Sequence, residues 1–130
     1  MAEGLGLRVY TEEIPKGYHL KGIYRTELVY GRKAGWVAEI TIHYRIDLHD
    51  NPMTIDVVAL ERFLALWQDD LVGGRIERPS VEGIAVEVAR QIVSVCKGWL
   101  KIEVNSHVRG ARRLTAIVDR NEVKDEDHEW

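Results

Sequence analysis

The sequence predicts an α+β fold in which two β-hairpins enclose two consecutive helices. Two stretches near the start alternate apolar and polar side chains with a period of two, which is typical of strands with one buried face. The next two stretches repeat their apolar residues with a helical period. Two shorter alternating stretches complete the order ββααββ. We therefore expect a four-stranded antiparallel sheet with both helices on one face.

The clearest strand covers residues 36–48. Its apolar side chains point to one face and its polar side chains to the other; the apolar set is Ile40, Ile42, Tyr44, Ile46 and Leu48. Residues 18–30 form the partner strand, and the Gly-bounded segment 31–35 connects the two. In this hairpin we expect Glu27 and Glu39 to face each other. Such a pair of like charges is unfavourable unless both are solvated or share a ligand.

The first helix is predicted over residues 56–72. Thr54 and Asp56 are both candidate N-caps, and Gly73-Gly74 ends the helix. Its apolar stripe consists of Val57, Leu60, Phe63, Leu64, Trp67 and Leu71. The period of this stripe predicts that one side of the helix packs on the sheet.

The second helix is predicted from the N-cap Ser80 to about Lys97, with Gly98 closing it. Its inner face consists of Val81, Ile84, Ala85, Val88, Ile92 and Val95. The final hairpin follows, with alternating residues at 100–105 and 114–119 and a turn near Arg109.

Length and composition indicate one globular domain. The chain has 130 residues, 45% hydrophobic and 30% charged, and we assign residues 18–121 to the domain, 1–17 to an N-terminal extension and 122–130 to an acidic tail. A net charge of −3 gives no reason to expect nucleic acid as a partner. The N-terminus has no secretory pattern and no apolar stretch is long enough for a membrane span, so we expect a cytoplasmic protein.

Cysteine and histidine usage gives no metal site. Cys96 is the only cysteine and lies on the apolar side of a predicted helix, so we expect a buried, unreactive thiol. His19 and His43 lie on different strands and do not form a ligand set of the usual spacing. We therefore predict neither a metal nor another cofactor.

Three segments resemble one known superfamily. They are Gly22-Ile23-Tyr24-Arg25-Thr26-Glu27, Val81-Glu82-Gly83-Ile84-Ala85 and Trp99-Leu100-Lys101-Ile102-Glu103-Val104. With their order and spacing, these segments resemble the tunnelling fold (T-fold) of pterin- and purine-binding enzymes. They are most similar to the dihydroneopterin aldolase/epimerase branch, a group of lyases in folate biosynthesis. The resemblance covers about residues 20–121.

The resemblance implies a pterin or purine-like substrate bound at a subunit interface. Glu82 would anchor the heterocycle at a helix start, with Val81 and Arg109 as further substrate-binding residues. Glu27 would be catalytic, and His107 would take the proton-transfer role, since the slot of the family's catalytic lysine falls on Ser106 or His107. The T-fold also implies a homo-oligomer, a tetramer or an octamer, that closes its sheets into a barrel.

The sequence departs from the family in two places, and these leave the activity open. The catalytic lysine is unmatched, and residues 53–56 contain no counterpart of the family's active-site tyrosine. The alternatives are a non-catalytic T-fold protein that binds a pterin or purine or only assembles, and an unrelated α+β interaction module. Two of the proposed binding residues also have purely structural explanations. Glu82 would complement the helix dipole, and the arginines near Arg109 would be solvated in a turn.

Overall fold

The structure is a computed structural model that describes residues 20–32, 35–46, 55–107 and 113–120. The elements are β1 (Leu20–Val29), β2 (Val37–Ile46), α1 (Val57–Val72), α2 (Val81–Val95), β3 (Trp99–His107) and β4 (Arg113–Asp119). This order confirms the predicted α+β arrangement ββααββ. The extension assigned to residues 1–17, the candidate cap Thr54 and the tail assigned to 122–130 lie outside the described residues.

The four strands form one antiparallel sheet in the order β1-β2-β3-β4, so β1 and β4 are its edges. The two hairpins meet where β2 pairs with β3, from Val37 opposite His107 to Tyr44 opposite Trp99. A register irregularity between His43 and Tyr44 interrupts this pairing near its end. The helices therefore connect two hairpins whose inner strands lie side by side.

Both helices begin at side-chain caps. Asp56 accepts a hydrogen bond from the Ala59 N–H at 3.1 Å, and Ser80 Oγ accepts one from the Gly83 N–H at 3.0 Å. Helix α1 ends at Gly73 as predicted. The next residue, Gly74, has a φ of 73°, in the left-handed region that favours glycine.

Helix α2 ends earlier than predicted. It stops at Val95, and Cys96 already has an extended backbone with φ −153° and ψ 99°. Gly98 serves a different purpose from helix closure, because its carbonyl accepts a hydrogen bond from the Arg45 N–H at 2.8 Å. A Cβ at position 98 would lie 2.6 Å from the Arg45 carbonyl oxygen, so this close approach requires glycine.

The core lies between the helices and one face of the sheet. It contains the predicted inner residues of both helices except Val57, which is half-buried, and alternate residues of the strands; its fully buried members include Leu28, Ile40, Ile42, Leu60, Ile84, Val88, Ile92, Trp99, Ile102 and Val104. Within the described ranges, no helix is long and apolar enough to cross a membrane.

Candidate functional site

The face of the sheet away from the helices, called the open face below, carries a row of polar residues. Glu27 pairs with Glu39, Glu39 with Asn105, and Asn105 with Thr115, so the row crosses all four strands. This register confirms that Glu27 and Glu39 face each other. The last two members of the row are joined by a hydrogen bond that Thr115 Oγ1 donates to Asn105 Oδ1.

The two predicted catalytic residues lie on the same face. His107 is two residues beyond Asn105 on β3, so alternation places it on the open face with Glu27. Strand β2 separates them, and its Glu39 lies between. Two strand spacings, together with an offset of two residues along the strands, put the backbones of Glu27 and His107 about 12 Å apart. The sequence analysis did not identify Asn105, although the alternation of β3 places it on the polar face of that strand.

Glu82 lies in a different layer. It is exposed in the first turn of α2, the helix that covers the other face of the sheet. Its carboxylate makes no hydrogen bond or ion pair with another described residue. Within one protomer, Glu82 therefore lies on the opposite side of the sheet from Glu27 and His107.

The remaining predicted substrate-binding residues differ in accessibility. The Val81 side chain is only 4% exposed and belongs to the core. Only its backbone N–H, which has no partner among the described residues, is available for binding. Arg109 lies outside the described residues.

A charged network extends over the open face beyond the predicted site. His43 Nε2 lies 3.2 Å from Glu103 Oε1, and Lys101 Nζ lies 3.7 Å from Glu103 Oε2. Thr41, which pairs with Arg25 and Glu103, is only 5% exposed because longer side chains surround it. Among the residues that the structure describes, no group of three or more His, Cys, Asp or Glu side chains is placed to hold a metal ion.

Two surface depressions lie away from these residues. The first, called the hairpin cleft below, has a volume of about 540 Å³ and is lined by Gly31, Arg32, Trp36, Leu71, Gly74, Arg75, Ile76, Glu77 and Arg78. The second is an interhelical groove of about 350 Å³ lined by Phe63, Leu66, Trp67, Asp70, Pro79, Gly83 and Glu87. Neither depression is lined by Glu27, Glu82 or His107, and neither was predicted from the sequence.

Cys96 has the environment of an unreactive thiol. Its side chain is buried at the end of α2, and burial raises the pKa of the thiol, with smaller opposing effects from a Gly98 backbone hydrogen bond and the Arg120 charge. Burial likewise raises the pKa of the nearby Tyr44 hydroxyl. A thiol held protonated is a poor nucleophile, so the prediction of an unreactive cysteine agrees with the structure.

Comparisons of the chain with protein-family models, with curated proteins and with solved structures found no match. The function is therefore inferred from the residues and the geometry described above.

Proposed function

We propose that this chain binds a pterin or purine-like heterocycle through Glu82, at a site that a second copy of the chain completes. The observation that carries the proposal is the Glu82 carboxylate, which is exposed in the first turn of α2 and has no hydrogen-bond or ion-pair partner among the described residues. The backbone N–H groups of Val81 and Glu82 beside it have no partner among the described residues. Together they offer a negatively charged acceptor and two donors at one helix start.

This donor and acceptor set suits the edge of a pterin or guanine ring. Such a ring presents an exocyclic amine and a ring N–H side by side, and one carboxylate can accept both hydrogen bonds. A ring oxygen or nitrogen next to them can accept from a free helix N–H. The helix dipole also favours a negative charge at this position.

A second copy is required because one protomer leaves the site open. The edge strands expose large apolar side chains, with Leu114 on β4 54% exposed, Ile117 on β4 48% exposed and Ile23 on β1 51% exposed. Unpaired edges with apolar side chains tend to pair with another strand. Pairing of β4 with β1 of the next copy would extend the sheet towards a closed barrel and bring further residues to Glu82.

We further propose that the chain is a cytoplasmic enzyme of pterin metabolism, related to the aldolase/epimerase branch. Glu27 and His107 share the open face, and a carboxylate and an imidazole are side chains that can act as general acids and bases. The unmatched lysine favours the simpler alternative of a T-fold protein that binds the heterocycle without turnover.

The binding proposal is tested by titrating the wild-type protein and Glu82→Gln with a fluorescent pterin. Glutamine keeps the size but loses the charge, so binding should weaken by about 1.5–3 kcal/mol, as for a hydrogen bond to a charged group. The control is Glu61→Gln, which alters an exposed glutamate on α1 and should leave affinity unchanged. Equal affinities of wild type and Glu82→Gln would refute the anchor role.

Two further measurements separate the alternatives. Turnover of 7,8-dihydroneopterin that is lost in His107→Ala would support catalysis, whereas binding without turnover would support the non-catalytic alternative. The molecular mass in solution tests the second copy. A monomer at the concentration at which the pterin binds would contradict an intersubunit site.

A further inference from the structure

We propose that the hairpin cleft binds the phosphate group of a small phosphorylated molecule. The cleft lies between the turn of the first hairpin and the connector that joins α1 to α2. It contains neither Glu82 nor an open-face residue, so the inference is independent of the proposed heterocycle site.

Three guanidinium groups line this cleft, on Arg32, Arg75 and Arg78, against a single carboxylate, Glu77. The lining side chains thus carry a local charge of +2, in a chain whose net charge is −3. The charge of the cleft lining is therefore opposite in sign to the net charge of the chain. Guanidinium groups are the side chains best suited to bind phosphate, because they donate paired hydrogen bonds from a rigid plane.

The three arginines are held in different ways. Arg75 Nε donates to Asp70 Oδ1 at 2.8 Å, an exposed pair that leaves its remaining N–H groups available. The Arg78 guanidinium lies over the Trp36 ring, 3.9 Å from its centroid. Arg32 contacts no carboxylate among the described residues. As far as the described residues extend, at least one full positive charge in the cleft is therefore uncompensated.

Aromatic packing fixes the position of the Arg78 guanidinium. The Trp36 ring packs edge-to-face with the Tyr30 ring, with their centroids 5.6 Å apart and an interplanar angle of 85°. Tyr30 itself is buried, so the Trp36 indole packs against a residue of the core. A guanidinium stacked on such a ring keeps its N–H edge free for an anion, and the stack reduces the entropy lost on binding.

Two glycines make room for the other guanidinium groups. A Cβ at Gly74 would collide with the Arg32 guanidinium, and one at Gly73 would lie 2.8 Å from Arg75 Nη1. Arg32 and Arg75 also lie beside the carboxyl end of α1, where positive charge is favourable. That role accounts for two of the arginines, but it does not account for Arg78 on the far side of the connector.

The size and charge of the cleft define the class of ligand. Its volume of about 540 Å³ lies within the range of small-molecule sites. Nucleic-acid binding usually needs a basic surface many phosphates long, which a chain of net charge −3 does not favour. One phosphate or diphosphate group of a small molecule matches a cleft of this size that three guanidinium groups line.

The test is isothermal titration of the full chain with inorganic pyrophosphate, with sodium chloride of equal ionic strength as the reference. We expect saturable binding to wild type. Arg32→Gln and Arg78→Gln should each weaken it about tenfold or more, the loss expected for a hydrogen bond to a charged group. The matched control is Arg90→Gln, which removes an exposed arginine of α2 outside the cleft and should change nothing.

The conservative variant Arg78→Lys guards against a general loss of structure. It keeps the charge but not the planar fork, so it should fold as wild type and bind more weakly than wild type. Equal affinity of wild type, Arg32→Gln and Arg78→Gln, or an absence of saturable binding to wild type, would overturn the proposal. Tighter binding of a single-stranded oligonucleotide than of pyrophosphate, with the same arginine dependence, would overturn the small-molecule assignment.

Discussion

The two faces of the sheet differ in polarity, in charge and in exposure to solvent. The helix-covered face is apolar, and residues such as Ile42 and Ile102 on neighbouring strands are fully buried there. The open face carries the row from Glu27 to Thr115 and the charged network around Glu103. Adjacent residues of one strand therefore belong to different environments, one that stabilises the fold and one that is available for binding.

The two faces of the sheet therefore have different roles, one in stability and one in binding. Apolar burial contributes about 25 cal/mol per Å² whatever the partner, so the helix-covered face forms within one protomer. Polar side chains on the open face gain little from burial, and their arrangement acquires a function only when a ligand or a second copy meets it. The predictions below test this division, starting with the largest expected effect.

The largest effect should come from replacing Ile42 with alanine. Its side chain is fully buried against the helices, so the cavity should lower the free energy of unfolding by about 2–5 kcal/mol. The neighbouring residue, Thr41, is also buried but lies on the open face. Thr41→Ala should cost at most about 1 kcal/mol, the span of strand propensity.

Urea unfolding followed by circular dichroism measures both variants. The dependence on urea concentration should stay as in wild type, which shows that the denatured state is unchanged. Equal losses for Ile42→Ala and Thr41→Ala would mean that the open face is as tightly packed as the core, and the division between the faces would be wrong.

The helix-covered face is also the part that the sequence predicted well. Period-two alternation placed Ile40 and Ile42 inward, and the helical stripes gave nearly every buried residue of α1 and α2. Local patterns succeed here because burial acts on each residue through its own face. The end of α2 was predicted less well, since Gly98 is required by the tertiary contact with Arg45 rather than by helix closure.

The candidate sites were only partly predictable. The Glu27–Glu39 pairing followed from the hairpin, because it depends on residues close in sequence. The hairpin cleft was not predicted, since it brings Arg32 next to Gly74 across the whole of α1. Such contacts depend on how helices and turns pack, and no period in the sequence encodes them.

A second prediction concerns the polar pair on the helix-covered face. The Tyr30 hydroxyl and Ser106 Oγ are 2.9 Å apart and buried, so either can donate to the other. Tyr30→Phe leaves the serine unsatisfied and should cost about 1–3 kcal/mol. Adding Ser106→Ala removes the orphaned hydroxyl and should restore part of that loss.

Thermal unfolding of both single variants and the double variant gives the coupling between the two hydroxyls. Simple additivity of the two single losses would show that the hydrogen bond is absent. The pairing of the two buried hydroxyls would then contribute nothing to the stability of the helix-covered face.

The smallest effect is expected on the open face, where Glu27 and Glu39 oppose each other. Like charges directly across a strand pair are unfavourable, so Glu39→Gln should raise the free energy of unfolding by about 0.2–1 kcal/mol. The gain should shrink as salt is added, because both side chains are accessible to screening ions. The control is Glu61→Gln on α1, an exposed glutamate outside the sheet. If Glu39→Gln instead destabilises the protein at low salt, the pair is held by something that bridges it, and the open face contributes to the fold as well as to binding.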